Sequence, residues 1–154
     1  MFQLFRRMMR LSLPRKTRAV SLSARGEVYD LREMYEEIKA QYFTPDYHAA
    51  IGWSNRSRKG AFRAMTFGTY DRRHRQIRIN RMLDDPQVPR LFVEFIVYHE
   101  MLHAICPPFI DRLGRVKIHT PEFKRKEQFF SHFHAAKAWG KTSLEYFRRK
   151  HGRS

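Results

Sequence analysis

Apolar residues recur every three or four positions near the start of the chain, which is the period of an amphipathic helix. The residues that form this stripe are Leu31, Met34, Tyr35, Ile38 and Tyr42. Asp30 is a suitable N-cap before them, and Glu33 follows three positions later, as in a capping box. Thr44, Pro45 and Asp46 end the pattern. We therefore predict an N-terminal helix that buries one face.

Beyond this helix the pattern changes to a period of two, which is typical of strands with one buried face. It extends over residues 49–54, 62–70 and 76–80. In the last of these stretches Ile77 and Ile79 alternate with polar residues. Polar and basic turns over 55–60 and 71–75 separate the three stretches. We predict a small three-stranded antiparallel sheet with one solvated face.

The second half of the chain returns to a helical period. Apolar residues are spaced for a helix over 89–106, with a proline in its first turn and two prolines after it. A loop then leads to a helix start at Thr120 and Pro121, and Gly140 ends that helix. A short helix over 142–150 follows. The order of elements predicts an α+β fold with an N-terminal helix, a small sheet, a central helix and C-terminal helices.

Charge is the most unusual property of the composition. The chain of 154 residues is long enough for one domain, and 31 Lys and Arg against 15 Asp and Glu give it a formal net charge of +16. Residues 1–26 contain seven basic groups and no acid, which predicts a flexible basic arm ahead of a domain over 27–154. Such a charge favours a polyanionic partner, nucleic acid before an anionic membrane surface. The charge alone predicts no chemistry.

Signals for membranes and secretion are weak in this sequence. The apolar runs are too short for a membrane-spanning helix, so no transmembrane segment is expected. Residues 1–26 lack the apolar core of a secretory signal, although an acid-free, Arg-rich segment is also typical of an organelle transit peptide. Cys106 is the one cysteine, which excludes an intramolecular disulfide and a cysteine-based zinc module. We expect a cytoplasmic, nucleoid or nuclear protein, with an organelle as the alternative.

The motif that carries chemistry lies inside the predicted central helix, where His99, Glu100 and His103 form the pattern HExxH. Residues four positions apart stack on one helical face, so both imidazoles can reach one metal ion. Glu100 is placed to take a proton from a metal-bound water, whose pKa a zinc ion would lower. Two histidines at this spacing also occur by chance, but polar groups on a buried helix face need a partner. The motif therefore predicts a hydrolytic zinc site.

A catalytic zinc needs a third protein ligand. An extended motif with a third histidine at position 109 is excluded, because Phe109 occupies that position. The remaining candidates are His119, Glu122, Asp111, His132 and His134. We favour His119, because it ends a loop directly before a helix start and can be aimed back at a neighbouring helix. For His132 and His134 we favour surface or core histidines, and for Cys106 a buried structural thiol.

Two stretches together resemble a known family. The HExxH motif over 99–103, followed by His-Thr-Pro-Glu-Phe over 119–123, is similar to the SprT-like zinc metallopeptidases, in which a third histidine follows in a His-Gly-Pro-x-Phe type segment. The resemblance extends over about residues 28–137, and the WLM-type peptidases share a similar core. Thr120 stands where the family usually has glycine. The four-cysteine zinc ribbon of many members is missing, so any nucleic-acid contact must come from the basic surface.

This resemblance implies a compact, gluzincin-like α+β fold. It implies His99, His103 and His119 as ligands of a Zn²⁺ ion and Glu100 as the general base. It also implies a peptidase, and together with the charge it favours protein substrates held on or near DNA. The oligomeric state and the oxyanion-stabilising group are not assigned by these residues.

Basic residues form three clusters that can contact phosphate groups. They are Arg72, Arg73, Arg75, Arg78 and Arg81; Lys124, Arg125 and Lys126; and Arg148, Arg149, Lys150 and Arg153. Tyr70 and His74 lie beside the arginines of the first cluster in the sequence and can stack on bases. We predict a zinc-dependent metallopeptidase with a nucleic-acid-binding surface. The alternatives are a basic nucleic-acid-binding protein with a structural or inactive zinc site, and a metal-dependent hydrolase of another substrate.

Overall fold

A computed structural model describes residues 22–54 and 66–151, and for residue 151 its backbone alone. The elements in chain order are α1 (Leu31–Tyr42), β1 (Ala50–Ser54), β2 (Gly68–Asp71), β3 (Gln76–Asn80), a 3₁₀ turn (Arg81–Leu83), α2 (Arg90–Ile105), β4 (Phe109–Ile110), β5 (Val116–Lys117), α3 (Pro121–Glu127) and α4 (Phe133–His151). This mixture of helices and a small three-stranded sheet confirms the predicted α+β fold.

Helix α1 has the bounds and the N-cap that the sequence predicts. The Asp30 carboxylate accepts hydrogen bonds from the backbone N–H groups of Arg32, at 2.8 Å, and Glu33. These bonds satisfy donors that a helix start leaves without partners. The apolar stripe is buried, with Leu31 and Met34 fully excluded from solvent. It packs against α2 and β1.

The three-stranded sheet has the order β1–β3–β2, so β3 lies in the centre. Strand β2 pairs with β3 antiparallel, but β1 pairs with β3 parallel. The prediction of a fully antiparallel sheet is therefore wrong for β1. Alternation shows which face of a strand is buried but carries no information on the direction of its partner. The described part of the predicted strand over 62–70 begins at residue 66, while residues 62–65 and the predicted turn over 55–60 lie outside the described residues.

Helix α2 runs through the centre of the molecule and contacts α1, α3, α4, β2 and β3. It begins at Arg90 with Pro89 as its N-cap and ends at Ile105, within a residue of the predicted bounds. Nine of its residues are buried, on more than one face, because helices and the sheet surround it. Glu100, the one polar residue among these nine, is therefore held in a packed environment.

The C-terminal part differs from the prediction in three ways. The predicted loop after α2 contains an antiparallel hairpin, in which β4 pairs with β5. The predicted helix over 121–139 is two helices, because the chain turns after Glu127 and buries Phe130 against Phe95 and Tyr98. Gly140 does not end a helix but lies inside α4, where an added Cβ would come within 3.3 Å of Phe92. Close packing, and not helix termination, explains this glycine.

Residues 22–29 are tied to the body of the protein. The Ser23 carbonyl accepts a hydrogen bond of 2.9 Å from the Trp53 N–H of β1. The Asp84 carboxylate accepts three backbone N–H groups, those of Glu27, Val28 and Tyr29, at 2.7–3.0 Å. Residues 1–21 of the predicted basic arm lie outside the described residues, and the boundary at residue 26 stays a prediction.

No helix among the residues that the structure describes is both long and apolar enough to cross a membrane.

Candidate metal centre

Three histidines converge at one end of α2. His99 and His103 lie one turn apart on this helix, and His119 directly precedes α3. One ring nitrogen of each lies within 4.8 Å of the others, so the three can hold a metal ion. His99 and His103 are half-buried, whereas His119 is exposed. The fold thus brings together the three histidines that the sequence and the resemblance single out.

The spacing of one pair of these nitrogens fits two ligands of a zinc ion. The Nε2 atoms of His99 and His119 are 3.2 Å apart, and two ligands at tetrahedral angles around zinc would be separated by about 3.3 Å. Three histidines leave a fourth coordination position free, which distinguishes catalytic zinc sites from structural ones with four protein ligands. The three-histidine donor set and the spacing of the His99–His119 pair therefore fit a zinc ion.

The other candidate ligands lie elsewhere. Asp111 forms an ion pair with Arg115 at 2.7 Å, and Glu122 lies 3.8 Å from the Lys126 ammonium group. His132 and His134, interpreted from the sequence as surface or core histidines, are exposed and so lie on the surface. Cys106 is buried, as predicted. Among the described residues, none of these five belongs to the three-histidine cluster.

Glu127 orients His99, and sequence reasoning missed it. One carboxylate oxygen of Glu127 lies 2.7 Å from Nδ1 of His99. A carboxylate can only accept, so Nδ1 donates and the lone pair on Nε2 is left for a metal ion. Burial raises the pKa of Glu127, but the hydrogen bond from His99 and the charges of His99 and Lys137 outweigh it, so the pKa is lowered. Glu127 follows Phe123 by one turn on the buried face of α3, and that periodicity is a signal that could have found it.

Glu100 lies beside the histidines and is 5 % exposed. Its Oε2 is 4.0 Å from Nε2 of His103. Burial raises the pKa of Glu100 to about 7, against the lowering effect of the His99 charge. A carboxyl group with such a pKa can both accept and release a proton near neutrality, as a general base must.

The two other histidines are held in their neutral form. Burial, followed by the charges of His99 and His119, lowers the pKa of His103 to about 4. Burial and the His99 charge likewise lower the pKa of His119. Neutral imidazole is the form that binds a metal ion, so both rings are ready to bind near neutral pH. The Arg72 guanidinium also donates a hydrogen bond to the His103 carbonyl and so ties the turn after β2 to α2.

Strand β2 passes directly over Glu100, which is a second feature that the sequence did not reveal. A Cβ atom added to Gly68 would lie 2.7 Å from Cγ of Glu100 and 2.8 Å from its Oε1. Contacts this short do not occur between real side chains, so a larger residue would displace either the strand or the carboxylate. Gly68 therefore sets the distance between the edge of the sheet and Glu100.

An open cleft of about 980 Å³ surrounds the histidines. Strand β2 and residues 66–67 form one wall, α2 forms the floor, and the β4–β5 hairpin and α4 supply the rest. The residues that line it near the histidines are Gly68, Thr69, Tyr70, Glu100, Pro108, Val116 and Ile118. The candidate metal position is thus reached from solvent through a cleft with an apolar side.

The first basic cluster extends along β3, with Arg72, Arg73 and Arg75 in the turn before this strand and Arg81 directly after it. Arg72, Arg73, Arg75 and Arg81 are exposed, while Arg78 donates to the Gln76 side chain at 2.9 Å. Arg72 lies over the Tyr70 ring, 5.8 Å from its centroid, and His74 is 2.7 Å from the Asp71 carboxylate. Tyr70 and His74 thus have partners within the protein. Arg153, which belongs to the third basic cluster, lies outside the described residues.

Comparison with known proteins gives one match. The model of the SprT-like family matches residues 31–144, from α1 into α4. Neither the curated proteins nor the solved structures give a significant match. The matched range contains every element that positions the histidines, Glu100 and Glu127. Since the family match spans most of the sequence and encloses the whole of this site, the chain belongs to the SprT-like family.

Proposed function

We propose that this protein is a zinc-dependent peptidase. The observation that carries the proposal is the placing of three histidines with convergent nitrogens beside a buried carboxyl group in an open cleft. His99, His103 and His119 would hold the ion, and membership of the SprT-like family supports this assignment. When bound, zinc activates water as a nucleophile and polarises a carbonyl group.

The chain itself supplies the proton transfers. Glu100 accepts a proton from the attacking water at its carboxylate and passes it to the amide nitrogen that leaves. Its raised pKa suits both steps, because the group changes its charge near pH 7. Glu127 keeps the His99 ring in the orientation that presents Nε2.

A peptide is the substrate that the cleft suits best. Strand β2 lies at an edge of the sheet and lines the cleft. Its pairing with β3 leaves alternate backbone N–H and C=O groups on the outer side, and no described strand covers them. An extended peptide can pair with such an edge and so bring a backbone carbonyl close to the histidines. This favours a peptidase over a hydrolase of another substrate.

Metal analysis and activity together test the proposal. We expect His103→Ala to lose zinc, and Glu100→Gln to keep zinc while cleavage of an unfolded protein such as casein falls about 10²–10⁴-fold. His134→Ala and Glu122→Gln are the matched controls, since these exposed residues lie outside the cluster. Equal zinc in the wild type and His103→Ala would contradict the ligand assignment. Zinc binding without cleavage of any protein would favour the alternative of an inactive or structural site.

We also propose that the basic surface binds nucleic acid and keeps the enzyme near proteins on DNA, in the nucleoid or nucleus. The exposed side chains of Arg73 and Arg75, in the turn between β2 and β3, and of Arg81, after the other end of β3, support this. None of the three has an acidic partner among the ion pairs of the described residues. The affinity for duplex DNA should fall steeply with rising salt. In a plot of the logarithm of the binding constant against the logarithm of the salt concentration, Arg73→Gln with Arg75→Gln should make the slope less negative by about two. Binding that does not depend on salt would contradict phosphate contacts.

A further inference from the structure

Exposed apolar side chains concentrate on the hairpin between α2 and α3. Of eight large apolar residues that are exposed in the described part of the chain, five lie within residues 109–118. They are Phe109, Ile110, Leu113, Val116 and Ile118, from 52 % to 77 % exposed. Isolated apolar residues on a surface need no explanation, but five within ten positions indicate an interaction site.

The hairpin is held in shape by its own polar groups. The Asp111 carboxylate accepts hydrogen bonds from the backbone N–H groups of Leu113 and Arg115, both at 2.9 Å, and from the Arg115 side chain at 2.7 Å. Gly114 has a φ of 75°, which glycine adopts without strain. The apolar side chains are therefore displayed on a built hairpin, and they contribute nothing to the core.

The two faces of the hairpin differ. Ile110 pairs with Val116 on one face, and Phe109 pairs with Lys117 on the other. Val116 and Ile118 line the cleft, as does Pro108 at the start of the hairpin. Ile118 is followed directly by His119. One apolar face therefore continues from the exposed Ile110 to the third histidine.

We propose that this face, formed by Ile110, Val116 and Ile118, binds apolar side chains of an extended polypeptide next to the scissile bond. The inference rests on the proposed peptidase function and adds a substrate class, namely unfolded or partly unfolded protein segments. Folded proteins bury their apolar side chains, so they offer little to this face. A membrane surface fits less well, because Val116 and Ile118 line a cleft that also contains β2 and α2, which a flat bilayer does not enter.

Peptide binding without cleavage tests this inference. The protein is the full chain with Glu100→Gln, loaded with zinc, and the probes are two fluorescent peptides of equal length and net charge. One peptide carries Leu and Phe, and the other carries Ser and Gln at the same positions. We expect Ile110→Ser with Val116→Ser to weaken binding of the apolar peptide about tenfold. The polar peptide should bind weakly and equally to both proteins. Phe109→Ser, on the opposite face, is the matched control and should bind like its parent.

Several results would overturn the inference. These are unchanged binding by the double variant, an equal loss in Phe109→Ser, or equal affinity of the parent for both peptides. Binding of phosphatidylserine-containing vesicles that the double variant loses, with peptide binding unchanged, would assign the face to a membrane instead. Zinc content and melting temperature check that each variant is folded. If the wild type cleaves no protein but the peptide results are as expected, the peptidase proposal fails and the binding face stands.

Discussion

Helix α2 and the β4–β5 hairpin depart from the usual distribution of polarity in opposite directions. Helix α2 is packed on several sides, yet it holds two histidines and a glutamate near its C-terminal end. The hairpin is exposed, yet it carries large apolar side chains. Both departures border the same cleft. Burial of polar groups and exposure of apolar groups are each costly, so their meeting at one place marks the functional region of the molecule.

Apart from Glu100→Gln, the largest expected effect comes from a change at Gly68, which lies against Glu100 of α2. Gly68→Ala should lower the proposed peptidase activity about 100-fold, because the new methyl group would collide with the side chain of Glu100, the proposed general base, and displace it. Zinc content should stay unchanged, since the three atoms nearest to the new methyl group all belong to Glu100 and not to a histidine. Cleavage assays with His134→Ala, at an exposed position outside the lining of the cleft, provide the control. Wild-type activity in Gly68→Ala would show that the cleft tolerates a shift of β2.

The next effect concerns the orientation of a metal ligand. Glu127→Gln should weaken zinc binding about 10–100-fold, because the amide lacks the charge that holds the His99 ring in place. Competition with a chelating dye measures this affinity. Glu122→Gln, an exposed change on the same helix, should leave it unaltered. An equal loss in both variants would mean that the loss reflects α3 as a whole and not the bond to His99.

Asp85 is a buried acid outside the lining of the cleft, so it shows what burial of an acid contributes to stability alone. Asp85 accepts hydrogen bonds from the Gln87 N–H and the Tyr146 hydroxyl, both at 2.9 Å, and from Lys150. Burial raises the pKa of Asp85, but the bonds from Lys150, Gln87 and Tyr146 outweigh it and lower the pKa. We expect Asp85→Asn to reduce the free energy of unfolding by about 1–2 kcal/mol near neutral pH, with activity otherwise intact.

The stabilisation by Asp85 should be present at neutral pH and lost in acid, because the pKa of this group is lowered in the folded protein. A lowered pKa in the folded state means that the carboxylate stabilises the protein above its unfolded pKa of about 3.9. That contribution is lost as the pH falls through the folded value. Urea unfolding of both proteins between neutral and acidic pH should therefore show their difference shrinking below about pH 4. A difference independent of pH would mean that Asp85 acts by shape alone.

The smallest expected effect is on the stability of the hairpin region. Ile110→Ser with Val116→Ser should change the free energy of unfolding by less than about 0.5 kcal/mol, because these exposed side chains bury little in the folded state. Thermal unfolding measures this, and Val93→Ala, within the buried part of α2, should by contrast be strongly destabilising. A large loss in the hairpin variant would show that these residues serve folding and not binding.

Local patterns predicted much of the fold, and tertiary contacts account for what they missed. Helix α1 follows from its apolar stripe and the Asp30 cap, both of which act within a few residues. The parallel pairing of β1, the turn after Glu127 and the role of Gly140 depend on distant partners. The hairpin escaped prediction because its strands have only two residues each and expose their apolar side chains.

The same distinction holds at the candidate site. The spacing of His99 and His103 places them on one helical face, and His119 was favoured because a helix begins directly after it. Glu127 and Gly68 act through contacts with residues 28 and 32 positions away, which no short motif encodes. Their roles become visible only when the fold brings α3 and β2 against α2.

The segment that precedes α1 has a consequence for how the protein meets other chains. Ser23 hydrogen-bonds Trp53, and Leu22 lies against Gly52, so this segment covers the outer edge of β1. Within the described residues the sheet therefore has one edge that is closed and one, at β2, that is open. Open sheet edges invite self-association. Within the described residues an incoming strand can therefore be accepted on a single side, the side that lines the proposed peptidase cleft.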